Sequence, residues 1–158
     1  MKNKFEEFGI DTEHKVQAIF SSIFVLENLL QNVGEKLQTE ITMKQWLLLA
    51  MTEVCDKPCT LTSVGNLMGC SRQNIKKLAI ILEKKGFIRF IDGNNNSVQI
   101  ELTNKVKEYG KELIPKHLTA LKLLFSEFTT EEIDQLFIMY KKLYIGIEKI
   151  EEFAKECQ

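Results

Sequence analysis

Much that would announce a chemistry is scarce in this chain of 158 residues. It has two histidines, two prolines, one tryptophan and four cysteines. The histidines, His14 and His117, lie far apart, and there is no glycine-rich phosphate loop and no nucleophile motif. Nothing assembles a catalytic centre, so the chain does not read as an enzyme and no cofactor is expected. Cys55 and Cys59 form a close pair, but no second Cys/His pair follows at finger-like spacing, so no metal is expected either. A chain that is 44% apolar does not need disulfide staples. No apolar run reaches the roughly 18 residues that a bilayer-spanning helix needs. The stretch from Met1 to Glu13 is polar and mixed in charge, unlike a signal peptide. A cytoplasmic protein with no membrane partner is the expectation.

Charge of one sign is also scarce overall, but not locally. The formal net charge is −1. From Lys57 to Ile91, however, seven basic residues face a single acid, Glu83. Residues 1–56 hold five basic and nine acidic residues, and residues 131–158 hold four and seven. A basic centre between acidic ends is a localised electrostatic footprint of the kind that nucleic acid attracts. The competing reading is an ordinary solvated face.

The spacing of apolar residues predicts the elements. Val16, Ile19, Phe20, Ile23, Leu30, Val33 and Leu37 recur at helical intervals and predict a helix from about Thr12 to Leu37. Thr42 caps a second helix, Met43 to about Val54, which Asp56-Lys57-Pro58 ends. Two short helices follow around Gly69. Thr60 or Thr62 caps the first and Ser71 the second, and Gly86 suits a left-handed end with Phe87 packing back. Ile88, Phe90, Val98, Ile100 and Leu102 alternate with polar residues, predicting two strands around the turn-forming run Asp92 to Ser97. A helix from near Thr103 to about Phe128, kinked at Pro115, precedes a last helix with a capping box at Thr129 and Glu132. The fold class is therefore mainly α with a small β-hairpin wing: a winged helix-turn-helix with helices at both termini. One domain spans residues 1–158. Its DNA-binding lobe is residues 40–103, and a helical dimerisation lobe is built from residues 1–39 and 104–158.

The second helix of the turn motif divides its residues by chemistry. Ile75, Leu78, Ala79 and Leu82 cluster on one side, while Gln73, Lys76, Lys77 and Lys84 fall on the other, with Arg72 at the edge. A recognition helix reads base edges with its N-terminal residues. Arginine suits guanine and glutamine suits adenine, because each makes two hydrogen bonds to one base edge. Lysines neutralise phosphates, and helix N-termini offer N–H groups to them, so Thr62, Ser63 and Ser71 are candidate anchors. The candidate interface with double-stranded DNA is Thr62, Ser63, Ser71, Arg72, Gln73, Lys76, Lys77, Arg89, Asn94, Asn95 and Asn96. In the last helix Ile133, Leu136, Tyr140, Leu143, Ile147 and Ile150 form a heptad seam and are the candidate homodimer contacts.

The stretch from Ile41 to Gly110 resembles the MarR family of transcriptional regulators. The residues that carry the resemblance are Ile41-Thr42-Met43-Lys44-Gln45-Trp46, Leu61-Thr62-Ser63-Val64-Gly65-Asn66-Leu67-Met68-Gly69-Cys70-Ser71, Leu82-Glu83-Lys84-Lys85-Gly86-Phe87-Ile88, and Leu102-Thr103 with Gly110. The resemblance implies a homodimeric repressor on a pseudo-palindromic operator, released from DNA by a small, often aromatic effector. Phe20, Phe24, Trp46 and Tyr109 are candidate effector contacts, with plain core as the alternative for each.

One departure from the family pattern stands out. Its wing usually carries Asp-x-Arg ahead of the Leu-Thr pair; here those positions are Asn94, Asn95 and Asn96. Asparagine still hydrogen-bonds in a minor groove, but without charge. Arg89 and Lys105 are the nearest substitutes. Two alternatives remain: a redox-sensing regulator using Cys55 and Cys59, whose thiols Lys57 could activate, and a winged interaction module with weakened DNA binding. Cys70 reads as a small buried apolar residue.

Overall fold

The computed structural model describes residues 11–93 and 97–157. Six helices and one hairpin follow in the order α1 (Thr12–Leu37), α2 (Met43–Val54), α3 (Leu61–Met68), α4 (Arg72–Lys84), β1 (Ile88–Asp92), β2 (Val98–Leu102), α5 (Asn104–Leu124) and α6 (Thr130–Glu156). Most starts are set by side-chain caps. Asp11 accepts from the His14 amide, and Thr42 and Gln45 close a reciprocal capping box on α2. Thr129 and Glu132 do the same for α6. Each such pair satisfies amide donors that a helix start leaves open.

The chain divides into two compact units, residues 1–116 and 117–158. This boundary differs from the two lobes expected from sequence. It falls within α5, and α1 is grouped with the winged half rather than with α6. The α5 helix also ends sooner than its apolar spacing predicts. Phe125 donates to the Leu121 carbonyl and Phe128 to that of Phe125, so residues 125–128 form a turn rather than further helix. Pro115 stands inside the helix without ending it.

In the first unit one buried cluster joins α2, α3, α4 and the hairpin through Leu48, Leu61, Ile75, Leu82, Phe87 and Ile100. Gly86, at φ +78°, turns the chain out of α4 so that Phe87 is fully buried, its amide donating to the Leu82 carbonyl at 2.9 Å. The hairpin pairs antiparallel, with Ile88 opposite Leu102 and Asp92 opposite Val98. The loop before α3 adds a third rung. Thr60 bridges Gln99, and the Ile100 amide donates to the Cys59 carbonyl at 2.8 Å. In the second unit α6 has no buried residue. Among the described residues no helix is long and apolar enough to cross a membrane.

Candidate nucleic-acid interface

The turn between α3 and α4 is made by two glycines. Gly69 caps α3 in the left-handed region at φ +61°, where an L side chain is strained. Gly65 allows the close approach: a Cβ there would stand 2.7 Å from the Cys70 carbonyl oxygen. That carbonyl belongs to the residue whose own amide donates back to the Gly65 carbonyl at 2.8 Å. Backbone is tied to backbone here, so the angle between the two helices is fixed locally.

Thr60, not Thr62, caps α3. Its hydroxyl accepts from the Ser63 amide, while the Ser63 hydroxyl accepts from the Thr60 amide at 2.7 Å. The Cys55 thiol donates to that same hydroxyl at 3.4 Å. Ser63, a candidate phosphate anchor from sequence, therefore has its hydroxyl spent within the fold. Thr62 remains exposed, as does Ser71, whose hydroxyl accepts from the Asn74 amide to cap α4.

The α4 helix is amphipathic as its sequence requires. Ile75, Ala79 and Leu82 are fully buried and Leu78 is half-buried. Arg72, Gln73, Asn74, Lys76, Lys77, Ile80, Ile81 and Lys84 are exposed. The lone acid of the basic stretch is drawn aside: a carboxylate oxygen of Glu83 accepts from the Phe90 amide at 3.1 Å, at the root of the wing. The outward face of α4 is thus left with one sign of charge, and such a face concentrates polyanions.

The wing differs from the sequence expectation in its charges. Arg89 pairs across the strands with Glu101, its register partner. Lys105 pairs with Glu40, donates to the Lys85 carbonyl at 2.9 Å and lies over the Phe87 ring, 4.5 Å from its centroid. Lys85 in turn donates to the Glu40 carbonyl. Neither substitute for the wing arginine is an uncommitted cation: long-range pairing, which sequence spacing does not reveal, has engaged both. Asn94, Asn95 and Asn96 lie outside the described residues. Below them the Gly93 amide donates to the Ser97 carbonyl at 2.7 Å, closing the wing loop.

The remaining candidates fall into separate settings. Cys59 is 1% exposed, and burial beside Cys55 pushes its thiol up to about 12, outweighing the opposite pull of Lys57. The expected activation by Lys57 is therefore reversed for Cys59, because desolvation of a thiolate costs more than one nearby cation returns. Cys70 is half-buried against the core rather than fully enclosed. Phe20 and Phe24 meet edge to face at 5.3 Å on an exposed side of α1. Trp46 and Tyr109 instead pack against the main core, Tyr109 edge to face with Phe87 at 5.3 Å. Burial raises the Tyr109 phenol above its ordinary value. On α6, Ile133, Tyr140, Leu143, Ile147 and Ile150 are exposed and Leu136 is half-buried.

Gly65 is the structural residue that sequence reasoning passed over. A glycine inside a short helix was a signal of close backbone approach.

No family model matches the chain. The transcriptional repressor MprA of Escherichia coli (strain K12) is 33% identical over 87 residues, 54% of this chain and 49% of the relative. The chain therefore spans about half the length of the curated relatives it matches. Among solved structures, that of the S. aureus MepR–DNA complex is similar with a TM-score of 0.69 at 16% identity, over 87% of this chain and 99% of that one. The organohalide-sensing regulator RdhR in its 2,4-dichlorophenol-bound form is similar with a TM-score of 0.69 at 16% identity, over 90% and 84%. A MarR/EmrR family transcriptional regulator from Acinetobacter sp. ADP1 is similar with a TM-score of 0.73 at 20% identity, over 89% of this chain and 99% of that one, so the fold is the winged helix-turn-helix of the MarR regulators. MprA is a transcriptional repressor and RdhR a transcriptional regulator.

Proposed function

We propose that this chain is a MarR-type transcriptional repressor that binds a pseudo-palindromic operator as a homodimer and works in the cytoplasm. The observation that carries the reading is the outward face of α4. It offers Arg72 and Gln73 in its first turn, then Lys76, Lys77 and Lys84, with Glu83 drawn aside to the wing. Arg72 and Gln73 read base edges, and the lysines, with the exposed Thr62 and Ser71, hold phosphates. The MepR–DNA complex supports this use of the fold. Two-fold symmetry follows from the α6 seam: Ile133, Leu136, Tyr140, Leu143, Ile147 and Ile150 are apolar side chains with no core of their own.

The test is selection of bound duplexes from a random pool by the full-length protein. The expected product is an inverted repeat with half-sites about 10 base pairs apart, centre to centre. Recovery of unrelated sequences would reject an operator-binding function.

The effector we infer is a small aromatic molecule, as the dichlorophenol-bound relative supports. Phe20 and Phe24 are its better contacts, since they are exposed on α1 while Trp46 and Tyr109 are occupied with core packing. A ligand weakens DNA binding only by its preference for the non-binding state, and DNA must weaken the ligand equally. A thermal-shift screen with aromatic acids, followed by operator titration, tests this. A stabilising hit that leaves operator affinity unchanged would oppose it.

One observation favours a second reading, an interaction module with weakened DNA binding. The wing has asparagine where arginine is usual, and Arg89 and Lys105 are already paired. Salt-dependent retention on nonspecific DNA favours the DNA reading, and failure to be retained even at low salt would support that alternative. The redox reading is disfavoured by the burial of Cys59.

A further inference from the structure

Two isoleucines of α4 are exposed, Ile80 and Ile81, and Ile80 is the one that stands among the outward charges. On a helical wheel of about 100° per residue, Ile80 falls between Lys76 on one side and Gln73 and Lys84 on the other. It is 36% exposed, pointing away from the core that holds Ile75, Ala79 and Leu82. A β-branched residue at such a position is locally unfavourable. It loses side-chain freedom in a helix, and at 36% exposure burial repays that loss only in part. Sequences generally fill exposed helix positions with lysine, glutamate or alanine, and a local rule broken without compensation marks a functional position.

The major groove presents one apolar group, the 5-methyl of thymine. We propose that Ile80 is a specificity-determining residue that packs on a thymine methyl in each operator half-site. The proposal rests on the DNA-binding reading above and deepens it. Gln73 and Ile80 lie seven residues apart on α4, a rise of about 10 Å, or about three base pairs along a groove. The thymine therefore stands about three base pairs from the base that Gln73 reads. Its flanking lysines keep the isoleucine over the groove by holding the phosphates on either side. Ile81, the other exposed isoleucine of α4, lies about 100° round the helix from Ile80 beside Asn74, so loss of a methyl at the centre of the outward face is felt through Ile80.

Uracil removes that methyl and nothing else. The probe is the duplex selected by the wild-type protein, with each thymine replaced singly by uracil. At one thymine per half-site the wild type should bind about three- to fourfold more weakly, the effect of one buried methyl. Ile80→Ala should bind thymine and uracil duplexes equally, and Ile80→Val should keep part of the discrimination. Both variants should melt at the wild-type temperature, as an exposed position allows. Absence of any thymine whose methyl matters, or equal discrimination by wild type and Ile80→Ala, overturns the proposal while leaving operator binding intact. Failure of the wild type to select any duplex overturns the operator reading first, and this inference with it.

Discussion

The winged half of the chain and the helices that flank it are built on opposite terms. Between Ile41 and Leu102 apolar side chains are gathered into one core, in which Leu48, Val64, Ile75, Leu82 and Phe87 are wholly buried. In α1 only Ala18 and Gly34 are buried, and in α6 nothing is. Yet α1 exposes Phe20, Phe24 and Val33, and α6 exposes Phe137, Leu143 and Ile147. Helices of both regions carry apolar residues at helical spacing. A period of 3.6 says which side of a helix is to be covered, not what covers it. The contrast teaches that the winged half satisfies itself within one protomer, whereas the flanking helices leave apolar sides uncovered, as the proposed dimer requires.

The sharpest way to break that contrast is to charge the α6 seam. Leu143→Glu with Ile147→Glu should convert a dimer into monomers and abolish operator binding. Each carboxylate left unpaired in an interface costs about 3–5 kcal/mol, and two-fold symmetry counts it twice. Sedimentation reads the result. A wild-type protein already monomeric at micromolar concentration would remove the seam's purpose altogether.

Next in size is the core itself. Leu82→Ala should destabilise by about 2–5 kcal/mol, from lost burial and the cavity left behind. The cost should be the same at every protein concentration, because Leu82 is covered by its own protomer. Ile147→Ala should behave differently, its cost shrinking as the protein is diluted until neither form is dimeric. Denaturant melts at two protein concentrations separate the two. If Ile147→Ala is insensitive to concentration, α6 is covered within its own chain.

Legibility from sequence follows the range of the interactions. Caps and turns are local, so Thr42, Ser71, Gly86 and Thr129 could be read directly, and with them the order of helices and the hairpin. The choice between Thr60 and Thr62 was not local, because Thr60 is held by its bridge to Gln99 in the wing as well as by Ser63. The outward face of α4 was legible because amphipathicity needs only spacing. The fates of Arg89 and Lys105 were not: each depends on a partner brought up by the fold, Glu101 across the hairpin or Glu40 from before α2. The setting of Cys59 was not legible for a related reason. Lys57 is visible two residues away, but the burial that opposes it is a property of the assembled core.

A smaller effect distinguishes residues within the interface. Arg72→Ala and Gln73→Ala should each cost about 1–3 kcal/mol on the selected operator and relax preference at one base per half-site. Fluorescence anisotropy against a panel of single-base variants reads both quantities. Intact affinity and preference in both variants would mean that α4 is not the reading helix.

The smallest effect contrasts α4 with the wing by charge alone. Lys77 is exposed on α4, while Arg89 is held by Glu101. Each phosphate neutralised contributes about 0.9 to the slope of log affinity against log salt. Lys77→Ala should therefore flatten the slope by about one unit and weaken all sequences alike. Glu101→Gln should do the opposite, because it removes a negative charge and releases the Arg89 guanidinium to a phosphate. The slope should steepen by up to about 0.9, and nonspecific affinity should rise with it. The hairpin should barely notice, since both partners are substantially exposed and such a pair is worth no more than about 1 kcal/mol. Salt titrations of the two variants on one duplex make the comparison. An unchanged slope in Glu101→Gln, beside a flattened slope in Lys77→Ala, would mean that α4 meets the backbone and this face of the wing does not. The asparagines at 94–96 would then be a wing relieved of its electrostatic share, with affinity resting on the recognition helix.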